Sequence, residues 1–169
     1  MRINIYRTIL SEEDRIPTLV KESSRNYGGS TIRGPRDVAD MLHAVFSHGD
    51  RTEEYVFEIC LNAANRIIGV FEVSHGGLSS APIYPREVFQ KAILCGAAAI
   101  ILAHNHPSGD LTPSKPDFEQ TKIIAEAGEL VGIKVFDHMI VGENNGYYSM
   151  LEHGNMPDSI FSNAESLQK

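Results

Sequence analysis

Residues 97–106 read AAAIILAHNH, an unbroken apolar run that ends in two histidines separated by one asparagine. Apolar residues without polar alternation are the pattern of a strand covered on both faces. This stretch therefore predicts a strand in the middle of the fold that delivers the chain to His104. The loop that follows, NHPSGDLTP (105–113), is rich in turn formers. Ser114, with Asp117 three residues on, has the spacing of a helix N-terminus, and Phe118, Thr121, Ile124 and Ala125 carry a helical stripe onward. A helix is expected over roughly 115–129.

Working outward, Pro85 opens an earlier helix with Val88, Phe89, Ala92 and Cys95 on one face, and Gly96 begins its exit. Before it, YVFEICL (55–61) and IIGVFEV (67–73) are β-branched and aromatic runs separated by NAANR, which suits a hairpin at the centre of a sheet. HGGLSSAPIY (75–84) is turn-rich. Gly34-Pro35 signals another helix, with Val38, Met41, Leu42 and Val45 on one face and an end near Gly49. Downstream, IKVFDHMIVG (133–142) and YYSML (147–151) form a second hairpin through the Asn145-Gly146 turn signal. RINIYRTI (2–9) reads as a short strand, and residues 11–34 as a polar, glycine-rich arm. Strands and helices thus alternate in one α/β (α+β) domain. The expected organisation is an N-terminal strand and arm over 1–34, the main domain over 35–154 and a polar tail over 155–169.

Residues two apart on an extended chain point the same way, so His104 and His106 can present both imidazoles to one point. Asp117, at the opening of the next helix, supplies a third ligand if the loop folds back. Such a set leaves one tetrahedral position of Zn2+ open, the pattern of a catalytic site, where the ion lowers the pKa of a water to about 7. A carboxylate must still move the proton. Glu53, Glu54 and Glu58 border or lie on the strand beginning near residue 54. Glu54 and Glu58 share one face and Glu53 takes the other, and periodicity does not choose between the first two. Ser114 is a candidate hydroxyl donor to an oxyanion.

His104-Asn105-His106-Pro107-Ser108-Gly109-Asp110, followed by Pro113-Ser114-Lys115-Pro116-Asp117, resembles the His-x-His-Pro…Ser-x-x-Asp signature of the JAB/MPN (JAMM) metalloprotease family, in its RadC-like bacterial branch. Pro85-Arg86-Glu87-Val88-Phe89 and Asp137-His138 extend the likeness over roughly residues 36–154. The resemblance implies a curved mixed sheet flanked by helices, in cytidine-deaminase-like layering, with the zinc site at one end of the sheet. Carried over residue by residue, it makes His104, His106 and Asp117 the metal ligands, Glu54 the general acid/base and Ser114 the oxyanion donor. Asn62 stands where the family commonly has Asp. The implied activity is hydrolysis of a peptide or isopeptide bond.

Two other classes compete. RadC-like proteins invite a DNA-repair role or a metal-dependent nuclease, yet the letters His-Asn-His alone are not the nuclease motif of similar name. Net charge -7 also repels a phosphate backbone, and an arm of roughly thirty-five residues stands where longer RadC proteins carry a helical, DNA-binding-type segment. A non-catalytic MPN-type scaffold would be expected to lose ligands, and every matching position is retained. A homodimer through an apolar edge is kept as a candidate assembly. MRINIYRTILSEEDR has acids where a secretory signal is apolar, and no run reaches the ~18 apolar residues of a membrane span, so the expected compartment is cytoplasmic. Cys60 and Cys95 lack CxxC spacing and read as buried free thiols. His43, His48, His75, His138 and His153 read as surface or structural, with His138 the one placed to support a metal ligand.

Overall fold

The computed structural model describes residues 2–29, 31–46, 52–76 and 83–158. Seven strands, β1 (Arg2–Leu10), β2 (Pro17–Asn26), β3 (Glu54–Leu61), β4 (Ile67–Gly76), β5 (Ala99–His104), β6 (Lys134–Val141) and β7 (Tyr147–Ser149), form one sheet in the order β2-β1-β4-β3-β5-β6-β7. The sheet is mixed: β1 runs parallel to β4 and β5 parallel to β6, while the other neighbours are antiparallel. Among the described residues three helices, α1 (Pro35–Phe46), α2 (Pro85–Cys95) and α3 (Lys115–Val131), connect them. This is the α/β layering expected of a JAB-like domain.

Alternation sorts the side chains between two cores. On one face Phe57, Ile59 and Leu61 of β3 and Ile101 and Ala103 of β5 meet Val38, Met41, Leu42 and Val45 of α1. On the other, Val56 and Cys60 of β3 and Ile100 and Leu102 of β5 meet Val88, Phe89 and Ala92 of α2 and Ile124 of α3. All six residues of β5 are buried, as an uninterrupted apolar run between two helical layers requires. Gly128 lets α3 settle close, because a Cβ there would lie 2.5 Å from the Ile133 carbonyl oxygen. Cys60 is buried and Cys95 half-buried, both as free thiols.

Two local features differ from the sequence reading. Residues 17–26, expected within a polar arm, form β2 and pair along the whole of β1. An edge strand satisfies its backbone on one side only and keeps much of its surface wet, so it needs no apolar alternation to be a strand. The β6–β7 turn also shifts by one residue. Asn144 and Asn145, at φ 52 and 58, take the left-handed positions, while Gly146 is extended at φ -65. Helix α1 holds that turn: Asn145 donates its amide N–H to His43 Nε2 at 3.0 Å and its side-chain Nδ2 to Asp40 at 3.0 Å. The predicted exit of α1 near Gly49, His48, the turn over 77–82 and the tail beyond 158 lie outside the described residues. Among the described residues no helix is long and apolar enough to cross a membrane.

Candidate metal centre

His104 ends β5 on the α2/α3 face, in phase with Ile100 and Leu102, and its side chain is 1% exposed. His106 follows one residue beyond, partly open to solvent. The chain then turns back through His106–Gly109, with the Gly109 N–H donating to the His106 carbonyl at 2.9 Å. Gly109 adopts φ +76, a left-handed conformation costly to a residue with a Cβ. His106 Nδ1 sits 2.7 Å from the Asp110 carbonyl oxygen. A carbonyl only accepts, so Nδ1 carries a proton and Nε2 is the nitrogen that faces the cluster.

Ser114 caps α3 and Asp117 completes the capping box. The Ser114 N–H and Oγ–H both donate to Asp117 Oδ2 at 2.6 Å, and the Asp117 N–H donates to Ser114 Oγ at 3.3 Å. The box fixes the carboxylate at the positive end of the helix dipole, turned toward the histidines. His104 Nε2 and His106 Nε2 are 3.0 Å apart; Asp117 Oδ1 lies 3.3 Å from the former and Oδ2 3.6 Å from the latter. This is the one group of three or more His, Cys, Asp and Glu side chains among the described residues with metal-ligand spacing.

The donor set fits a tetrahedral ion. Bonds of about 2.0–2.1 Å to nitrogen and oxygen require neighbouring donors roughly 3.3–3.4 Å apart; His104 Nε2 lies 3.3 Å from Asp117 Oδ1, and one donor atom from each of the three residues falls within 4.8 Å of the others. Electrostatics agree. Burial, reinforced by His138, holds His104 well below the usual histidine range, so its ring is neutral. Burial alone would raise Asp117, yet the His106 hydrogen bond and the two Ser114 donors hold its carboxyl well below the usual carboxylate range. His106 is raised, first by its Asp117 contact and in part by the charge of Glu54. A neutral His104 and an ionised Asp117 are the ligand forms a divalent ion takes, and His106 would release its Nε2 proton on binding one.

The antiparallel register pairs Val56 with His104, which sets Glu54 across from the continuation of β5 toward His106. Glu54 is 9% exposed. Glu58 pairs opposite Leu102, within the sheet, fully buried and beside Cys60. Ser114 stands at the cluster with its hydroxyl proton on Asp117.

Three further side chains shape the site. Asn105 accepts the Tyr55 N–H at 2.9 Å and donates to the Glu53 carbonyl at 3.0 Å, fastening the start of β3 to the end of β5. Buried His138 of β6 places Nε2 2.9 Å from His104 Nδ1 and Nδ1 2.6 Å from Thr121 Oγ1 of α3. Burial pushes His138 down to about 4, so it too is neutral. The sequence reading singled out His138 but neither Asn105 nor Thr121. Thr121 carried a usable signal, since it stands one helical turn after Asp117 on the same face. Asn105 carried none, because nothing local says which strand will lie beside it.

The sequence matches the family model for the RadC-like JAB domain over residues 32–155. UPF0758 proteins, a name that states no activity, are its relatives. That of Rubrobacter xylanophilus is 47% identical over 78% of this chain and 56% of its own length. The protein of Desulforudis audaxviator is 47% identical over 68% of this chain and 49% of its own, and that of Moorella thermoacetica 46% identical over 75% and 54%. The chain thus spans about half the length of the curated relatives it matches. On the breadth of the family match and the identity to these relatives, the chain belongs to the RadC-like JAB domain family.

Proposed function

We propose that this chain is a zinc-dependent hydrolase that cleaves an amide bond, in a peptide or an isopeptide. The observation that carries the reading is the convergence of His104, His106 and Asp117, whose ligand atoms lie within 4.8 Å of one another; three such ligands would leave one tetrahedral position of zinc for water. Zinc, when bound, supplies a Lewis acid and a water acidified to about pKa 7. The chain's own groups do the rest. His104, His106 and Asp117 hold the ion. Glu54 receives the proton of the attacking water and hands it to the leaving amine, the work of a positioned carboxylate. Ser114 donates to the oxyanion as the carbonyl turns tetrahedral, with its hydroxyl rotating away from Asp117.

Metal content after purification and zinc reconstitution tests the reading. One equivalent in the unsubstituted chain and loss in both His104→Ala and Asp117→Ala is expected. Full occupancy in either variant overturns the ligand assignment. Absence of zinc binding in the unsubstituted chain overturns the metal reading itself.

A further inference from the structure

The histidines of the cluster belong to a longer chain of hydrogen bonds that closes on itself. Thr121 Oγ1 lies 2.6 Å from the backbone carbonyl oxygen of Asp117 and 2.6 Å from His138 Nδ1. Its third neighbour, Met150 Sδ, is at 3.2 Å and is a weak acceptor. A hydroxyl has one proton. The carbonyl can only accept, so at this distance the proton points to the Asp117 oxygen and a lone pair faces His138. His138 Nδ1 must then carry a hydrogen. The ring is buried and its hydrogen-bond partners, Thr121 and His104, are not carboxylates, so a second ring proton would be a buried charge without a counter-ion; Nε2 is therefore bare and accepts from His104 Nδ1 at 2.9 Å. His104 is left with the Nε2 lone pair aimed at His106 and Asp117, the form in which an imidazole binds a cation.

The opposite setting is self-defeating. If the hydroxyl proton turned to His138, two oxygen lone pairs would face each other across 2.6 Å. His138 would then donate from Nε2, and His104 would put an N–H into the cluster where a cation belongs. One hydroxyl orientation therefore selects the tautomers of two buried rings.

We propose that Thr121 and His138 are positioning residues that set the tautomer of His104 before any metal arrives. The pair links the first ligand to the backbone of the third, since the carbonyl that orients Thr121 is that of Asp117. The inference rests on the zinc reading for its purpose, but its physical content is a proton position that exists without metal.

The experiment uses the full chain, stripped of metal and then titrated with zinc against a chelator. Nitrogen-15 NMR of the histidine rings should show His104 protonated at Nδ1 in the metal-free chain. Thr121→Val, which keeps the shape and removes the hydroxyl, should disturb that tautomer and weaken zinc binding about 10–100-fold, the usual effect of losing a partner behind a metal ligand. Thr121→Ser should retain both the tautomer and the affinity. A metal-free His104 protonated at Nε2 overturns the proposal, as does a Thr121→Val chain that binds zinc undiminished, or valine and serine variants that weaken alike. Correct tautomers with no zinc uptake would support the relay and sink the metal reading, so the two failures are distinguishable.

Discussion

Glu54 and Glu58 lie on the same strand and the same face, two pleat repeats apart, and meet opposite environments. Glu54 begins β3, opposite the end of β5, and its charge reaches His106. Glu58 sits in mid-strand with none of its surface exposed; Oε1 accepts from Cys60 Sγ at 3.4 Å and Oε2 has no hydrogen-bond partner. Burial pushes its carboxyl up to about 8, against the weaker downward pulls of Cys60 and Lys91. The proton carrier of the proposed hydrolysis has to stand beside the cluster, as Glu54 can from its place opposite the chain leading to His106. A carboxylate that lies between two layers is kept as a neutral acid, because an ion there would lose its hydration without a compensating partner.

The largest expected effect separates the two directly. Glu54→Gln should lower amide hydrolysis by roughly 10²–10⁴-fold while zinc content stays full, and Glu58→Gln should leave the rate near that of the unsubstituted chain. Rates of both variants on a peptide or isopeptide substrate, measured beside their metal content, check this. An inactive Glu58→Gln with an active Glu54→Gln would reverse the comparison.

The next effect is in stability and concerns Glu58 alone. Its folded pKa of about 8 stands above the ordinary 4.5, so the folded state holds the proton more tightly than the unfolded one. That contribution is complete below about pH 4.5 and is lost as pH rises through about 8, amounting to a few kcal/mol on the order of magnitude of the shift. Glu58→Gln, which mimics the protonated acid, should flatten this slope. Denaturant midpoints of the two chains at pH 5 and pH 8 provide the measurement, and parallel profiles would contradict it.

Asn105→Ala should cost about 1–3 kcal/mol by leaving the Tyr55 N–H and Glu53 carbonyl without their partner. It should also lower the hydrolysis rate, since the start of β3 carries Glu54. The denaturant midpoint reports the first and the rate the second, and Glu58's pH profile should persist in this variant. The smallest effect serves as a control away from β3. Breaking the exposed Lys122–Glu126 pair, 3.9 Å apart on α3, with Lys122→Ala should change stability by no more than about 0.5 kcal/mol.

Much of the fold was legible because its signals are local. The unbroken run at 97–103 became β5, Pro85 opened α2, and the Ser114–Asp117 spacing became a capping box at the head of α3. Strand β2 was not, because an edge strand is defined by the neighbour it pairs with rather than by its own pattern. The turn after β6 was legible as a turn but not in its register, since side chains from α1 hold Asn145.

The candidate site divides along the same line. Alternation alone aimed His104 and His106 in one direction, and the motif's likeness to a known family brought Asp117 to them. That Glu54, and not Glu58, stands across from the chain leading to His106 was invisible without the register that lays Val56 against His104. The roles of Asn105, Thr121 and His138 needed the same knowledge, for each acts through a hydrogen bond to a residue on another element. Sequence determined the periodic and contiguous features, because backbone geometry repeats every two or 3.6 residues wherever it occurs. Only the tertiary structure decided which ends meet, because strand register and buried hydrogen bonds are properties of pairs that the chain brings together from far apart.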